Sequence, residues 1–174
     1  GATVTKFLGQ HRIRVDKKGR LFIPKKQVNQ LYAKWGEDPK LILTMMGSQR
    51  CLTLVDKDSW FEKRQELEDL PWFEKNATRI RRLLGFAEGV ELDQQKRIML
   101  PPRLRGLAGI EPEQEVVVIG CGDYLEIWDA EAADRMLDEL LGDADDLLES
   151  ALAGPAPKPT QEETDADKHN QTLE

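Results

Sequence analysis

One stretch of this chain is written twice. Asp16-Lys-Lys-Gly-Arg-Leu-Phe-Ile-Pro24 returns 77 residues later as Asp93-Gln-Gln-Lys-Arg-Ile-Met-Leu-Pro101, with Asp, Arg and Pro in register and three apolar residues between Arg and Pro. A second pair of segments, Leu43 to Gly47 and Leu52 to Asp56, returns at an offset of 73 as Val116 to Gly120 and Leu125 to Asp129. The change of offset places a four-residue length difference in the connecting loop, where insertions cost least. Each copy is then one supersecondary unit of roughly 50 residues, too small to bury enough apolar surface alone. The two copies must share a core, either side by side or with interleaved strands; periodicity leaves both arrangements open.

Within each copy the hydrophobic period switches in the same order. Ile13 and Val15 alternate with polar neighbours and Leu21-Phe-Ile is a short apolar run, so residues 16–20 read as the turn of a β-hairpin, with Gly19 suited to positive φ. Pro24 and Pro101 each open a short helix, where a missing N–H is harmless. Val28, Leu31 and Tyr32 form the apolar stripe of the first such helix, and Leu104 with Leu107 or Ala108 that of the second. A second hairpin follows in each copy, turning at residues 47–50 and 120–123, and ends at an aspartate, Asp56 or Asp129, placed to cap a helix. The resulting layout is a first half over 7–56, linking helices over 57–85, a second half over 86–129, a helix over 130–153 and a disordered acidic tail over 154–174. The last helix carries Met136, Leu137, Leu140, Leu141, Leu147 and Leu148 on one side, while Trp60, Trp72 and Trp128 read as core or subunit-contact anchors.

Charge is distributed as unevenly as the repeat is regular. The net charge of the 174 residues is −7, yet residues 1–36 carry nine Lys and Arg against Asp16 alone, and residues 129–174 carry fourteen acids against three bases. Phosphates respond to the local field, so an acidic total does not exclude a nucleic-acid partner. No apolar run reaches the ~18–20 residues of a membrane span, and the expected location is cytoplasmic. Cys51, Cys121, His11 and His169 are too few and too scattered for a zinc site, and the two cysteines read as reduced, partly buried thiols. No nucleophile elbow, phosphate-binding glycine loop or Cys-His arrangement appears, which argues against an enzyme, a cofactor and a small-molecule substrate.

Phe7-Leu-Gly9, the Asp16 to Pro24 segment, Arg82-Leu-Leu-Gly-Phe-Ala87, the Asp93 to Pro101 segment, Leu104-Arg105 and Glu126-Ile-Trp-Asp129 occur in the order seen in the MraZ family of bacterial transcriptional regulators. The chain resembles that family from about residue 7 to about 148. The resemblance implies an α+β fold that is mainly β: two AbrB-like swapped-hairpin halves interlaced into one pseudo-two-fold β-barrel, with peripheral helices. It also implies a ring-like homo-oligomer, association with the nucleoid, and repression of the division and cell-wall gene cluster through tandem repeats in double-stranded promoter DNA. The second copy departs from the family pattern, with Lys96 where glycine is usual. Either its turn adopts a conformation that a side chain tolerates, or it bears the strain of φ > 0.

Basic hairpin turns suit a polyanion. Arg14, Lys17, Lys18 and Arg20 cluster at the first turn, Lys96 and Arg97 at the second, and Lys25 and Lys26 follow on a helix. Arg20 and Arg97 are the matched candidates for contact with DNA, because arginine can engage guanine O6 and N7 bidentately, while Lys17 and Lys18 would hold the phosphate backbone. Asp16 and Asp93 are expected to close the turns through their own side-chain hydrogen bonds. Solvated surface is the ordinary role of a lysine-rich turn, and both arginines could instead pair with Asp16 and Asp93. Arg79, Arg81 and Arg82 fit an exposed helix face or intersubunit salt bridges. The competing function is a protein-interaction module of the same architecture, such as an antitoxin, whose acidic helix and tail bind a basic partner; the tail could also imitate nucleic acid and compete with it.

Overall fold

The computed structural model describes residues 5–45, 50–71 and 75–155. It divides into two compact units, residues 1–135 and residues 136–174. Residues 47–49 of the turn expected at 47–50, Trp72, His169 and residues 156–174 of the expected tail lie outside the described residues.

In the first unit the copies interleave. The first copy supplies β1 (Gln10–Arg14), β2 (Arg20–Phe22), α1 (Lys25–Trp35), β3 (Leu41–Thr44) and β4 (Leu52–Asp56). Helices α2 (Lys57–Glu68) and α3 (Ala77–Leu84) lead to β5 (Glu88–Val90), β6 (Arg97–Met99), α4 (Pro102–Leu107), β7 (Glu115–Gly120) and β8 (Leu125–Asp129), after which α5 (Ala130–Leu152) begins. Six strands form an antiparallel sheet in the order β1-β7-β8-β4-β3-β5, and β2 pairs with β6 in a separate antiparallel ribbon. Exchanging each strand for its counterpart in the other copy reproduces the same order read backwards. Chain pairing therefore crosses between copies at β1–β7, β3–β5, β4–β8 and β2–β6.

Two expectations need correction. Residues 16–20 make a tight turn but not a hairpin, because β1 pairs with β7 while β2 leaves the sheet to pair with β6. A two-stranded hairpin is marginal by itself in water, whereas crossing to the other copy lets each strand bury its apolar side in a shared core. The barrel expected from the family is not closed: among the described residues β1 and β5 are free edges of an open six-stranded ladder, with the ribbon as a separate piece.

The core is common to both copies. Val15, Leu21 and Leu31 from the first and Ile98, Leu100 and Leu104 from the second are buried in one apolar cluster. In α1, Val28 and Leu31 are buried as the periodicity predicts, and so is Gln27, whose amide donates to the Gly9 carbonyl at 3.3 Å. In α4, Leu104 faces inward and Leu107 outward, and Ala108, which follows the helix, is buried. The N-terminal strap lies on β7: Phe7 exchanges backbone hydrogen bonds with Gly122 (2.8 and 3.1 Å), and the Gly120 amide donates to Gly9 at 2.8 Å. Gly120 permits this approach, since a Cβ there would stand 2.5 Å from the Leu8 nitrogen. Asp56 accepts from the Ser59 amide and Asp129 from the Ala132 amide, both at 3.1 Å, so both aspartates cap helices. Trp60 packs with Ile42 and Leu84 in a smaller cluster that joins the linking helices to the sheet.

Candidate nucleic-acid interface

The repeated aspartate builds the same turn twice. In the first copy the Asp16 amide donates to the Arg20 carbonyl (2.9 Å) and the Gly19 amide to the Asp16 carbonyl (3.1 Å). Asp16 Oδ1 accepts from the amides of Lys18 and Arg20, both at 2.9 Å, and Oδ2 accepts from Arg20 Nε at 2.7 Å. In the second copy the Asp93 amide donates to Arg97 (2.9 Å) and the Lys96 amide to Asp93 (3.0 Å). Asp93 Oδ1 takes the amides of Gln95 and Arg97 at 2.9 Å, and Oδ2 takes Arg97 Nε at 2.8 Å. Partial desolvation pushes both carboxyls up, but the arginine amide and guanidinium outweigh it and hold each below the ordinary aspartate range. Both readings of the aspartates hold together: they close the turns and also orient the arginines.

Those arginines meet on the β2–β6 ribbon. Its register sets Arg20 opposite Met99, Leu21 opposite Ile98 and Phe22 opposite Arg97. Leu21 and Ile98 point into the core, so Arg20, Phe22, Arg97 and Met99 share the other face. Arg20 and Arg97 are diagonal neighbours across the ribbon, a relation that sets residues ~7–8 Å apart, within reach of long side chains. Neither is interred: the side chains are 28% and 18% exposed. Nε of each is held by its aspartate, and Arg97 Nη2 also donates to Gln95 at 3.1 Å, which leaves both Nη groups of Arg20 and Nη1 of Arg97 without an acceptor among the described residues. Each guanidinium is thus held through Nε by the aspartate of its own turn.

Other sequence candidates fall differently around this face. Lys17 and Lys18 stand exposed at the tip of the first turn, and Lys25 and Lys26 are exposed on the first turn of α1. Lys96 is drawn aside: its backbone has φ 64°, and Nζ donates to the Tyr32 hydroxyl at 2.6 Å above the Tyr32 ring. Its turn therefore keeps the left-handed conformation and bears the strain rather than avoiding it. Arg14 donates to the Glu113 carbonyl at 2.5 Å, in the loop before β7. Arg81 donates to the carbonyls of Glu68 and Leu70 at 3.1 Å, closing the end of α2 instead of lying on a free helix face.

Sequence reasoning assigned no role to four side chains that shape the region. Phe22 and Met99, exposed at 44% and 47%, occupy the ribbon's outer face; each sits inside a continuous apolar run, Leu21-Phe-Ile or Ile98-Met-Leu, whose hydropathy does not tell the outward residue from its buried neighbours. Arg105 packs its guanidinium on Gly19, where a Cβ would lie 3.3 Å from Nε, and donates from Nη1 to the Ile110 carbonyl at 3.2 Å. Arg12 on β1 pairs with Glu115 and Asp134; its hydrogen bond to Glu115 and the charge of Asp134 raise its pKa.

Away from the ribbon, Cys51 and Cys121 donate to the two carboxylate oxygens of Glu126, each at 3.4 Å, and the Trp128 indole donates to the same group at 3.2 Å. Burial and the Glu126 charge push both thiols up to about 12, so they are protonated donors rather than nucleophiles. Among the described residues no group of three or more His, Cys, Asp or Glu side chains could hold a metal ion, and no helix is long and apolar enough to cross a membrane.

Known proteins share the repeat. The family described as "MraZ protein, putative antitoxin-like" matches residues 7–83 and again 83–146, once for each copy. The transcriptional regulator MraZ of Saccharophagus degradans is 36% identical over 127 residues, covering 72% of this chain and 84% of that protein. That of Thermomicrobium roseum is 40% identical over 127 residues, covering 72% and 82%. A third, from Methylobacillus flagellatus, is 34% identical over 149 residues and covers 85% and 97%.

Proposed function

The chain belongs to the MraZ family, and from that premise we propose that it is a DNA-binding transcriptional regulator whose contact surface is the outer face of the β2–β6 ribbon with its two flanking turns. One observation carries this reading: the repeat sets two arginines on one exposed face, each gripped through Nε by an aspartate of its own turn. Each guanidinium keeps Nη donors for a bidentate contact with a guanine edge or a phosphate, Arg20 through both Nη groups and Arg97 through Nη1. An antiparallel two-stranded ribbon fits the width of the major groove. Lys17 and Lys18 flank it as phosphate contacts, and the Lys96 ammonium, held over Tyr32, serves the second turn more as a brace than as a reader.

The interleaving of the copies supports reading the halves as swapped hairpins in one polypeptide, with each chain offering a two-fold-related pair of contacts. Assembly into a ring of identical chains would repeat that pair along tandem promoter sites, and effective concentration would make the sum tight where each contact is weak. The regulated promoter in this reading is that of the division and cell-wall gene cluster, including the chain's own, and the action is repression on the nucleoid.

The test is a fluorescence titration of the full chain against duplex DNA from its own upstream promoter and against a scrambled duplex, at several salt concentrations, with light scattering for stoichiometry. Tighter binding to the repeats, weakening as salt rises, is expected. Equal affinity for both duplexes overturns sequence-specific recognition. Absence of DNA binding together with capture of a basic protein by the acidic segment favours the antitoxin-like alternative named in the family's description.

A further inference from the structure

The four side chains on the ribbon's outer face are not all cations. Cross-strand pairing couples each arginine to an apolar partner, Arg20 to Met99 and Arg97 to Phe22, and the Arg97 guanidinium lies 5.5 Å from the centre of the Phe22 ring. Phe22 and Met99 are 44% and 47% exposed although the buried face of the same ribbon has ample apolar company in Leu21 and Ile98. The two copies differ here in side chain but agree in character, an arginine followed two residues later by a large apolar group.

We infer that Phe22 and Met99 are specificity residues that contact thymine methyl groups beside the guanines engaged by Arg97 and Arg20; the inference rests on the DNA-binding reading above. A phosphate offers nothing to an aromatic ring or a thioether, whereas the major groove offers one apolar group, the C5 methyl of thymine. Arginine reads the acceptor edge of guanine, and the partner directly across the ribbon covers the adjacent base pair at about the ~4.5–5.5 Å separation of cross-strand side chains. Each half then reads a guanine and a neighbouring thymine. The contribution is apolar burial, so it adds to affinity without adding to salt dependence.

The experiment uses the full chain and two promoter duplexes, one natural and one with every thymine in the repeats replaced by deoxyuridine, which removes the methyl and keeps every hydrogen-bonding group. Wild type is expected to bind the uracil duplex three- to tenfold more weakly. Phe22→Ala/Met99→Ala should bind the thymine duplex more weakly by a similar factor, lose the difference between duplexes and retain the wild-type salt slope. Phe22→Leu/Met99→Leu, which keeps apolar bulk, should retain part of the preference and guards against a folding artefact. Equal binding of both duplexes by wild type, or a preference that survives in the alanine pair, overturns the inference. Where that binding still depends on Arg20 and Arg97, the DNA-binding reading stands without it. A change of oligomer mass in the alanine pair, with the thymine preference intact, assigns the two side chains to a subunit contact and likewise overturns it. No binding to either duplex overturns both proposals.

Discussion

Asp16 and Gly19, with their counterparts Asp93 and Lys96, show how two turns of unequal sequence reach equal geometry. Gly19 has φ +82° and faces the Arg105 guanidinium, so a methyl there meets both a backbone penalty and a neighbour 3.3 Å away. Gly19→Ala should cost about 1–2 kcal/mol, read from the shift in urea midpoint. Lys96 accepts the same left-handed backbone but gains the Tyr32 hydroxyl and ring. Lys96→Gly relieves that strain, loses the Tyr32 contacts and enlarges the unfolded ensemble; the three effects offset, and a change below about 1 kcal/mol is expected. The aspartates predict a pH dependence. Both carboxyls lie below their ordinary range in the folded chain, so the stability they add is complete above about pH 4 and is lost as pH falls through the depressed values. Urea melts from pH 5 downward should show this loss, and Asp16→Asn/Asp93→Asn should flatten it; an unchanged acid limb in that variant contradicts the role given to the turns.

Strands and helices were readable in the sequence to very different degrees. Caps named the starts of α2 and α5, because Asp56 and Asp129 act locally. Strand positions were legible where the pattern is local, as in the alternation of residues 11–15 and the apolar segment from Val116 to Gly120, whereas the first copy's segment read at 43–47 is a strand that begins two residues earlier, at Leu41. Pairing was not. A turn as tight as 16–20 looks the same in sequence whether its strands return to each other or part to join the other copy; only the shared core decides, and that is a long-range effect. Gln27 was missed for a related reason: its burial depends on the Gly9 carbonyl, brought close by the strap across β7. The strap makes its own prediction. Gly120→Ala places a methyl on the Leu8 nitrogen, so the strap must lift, and a loss of at least about 2 kcal/mol with faster amide exchange at residues 7–9 is expected. Wild-type exchange in that variant contradicts the close packing of strap on sheet.

Across the whole molecule the decisive features are symmetry and charge asymmetry. The arginine pair was visible in the sequence because the repeat matched its members, but their neighbours Phe22 and Met99 became meaningful only once pairing put all four on one face. The net charge of −7 masks a first segment rich in cations and a last segment rich in acids. If the acidic tail competes with DNA for the cationic face, truncation after residue 153 should raise promoter affinity at low salt, with the gain fading as salt increases. Equal affinity and equal salt slope with and without the tail remove that idea. The central claim is that Arg20 and Arg97 act as an equivalent pair on a common DNA-facing surface. Its most direct test is promoter affinity for wild type, Arg20→Ala, Arg97→Ala and the double variant, with thermal melts run alongside. Each single variant should lose about tenfold or more, ~1.4 kcal/mol, and the double variant should bind the promoter no better than scrambled DNA while still melting cooperatively. A folded double variant that binds the promoter repeats as tightly as wild type contradicts the account.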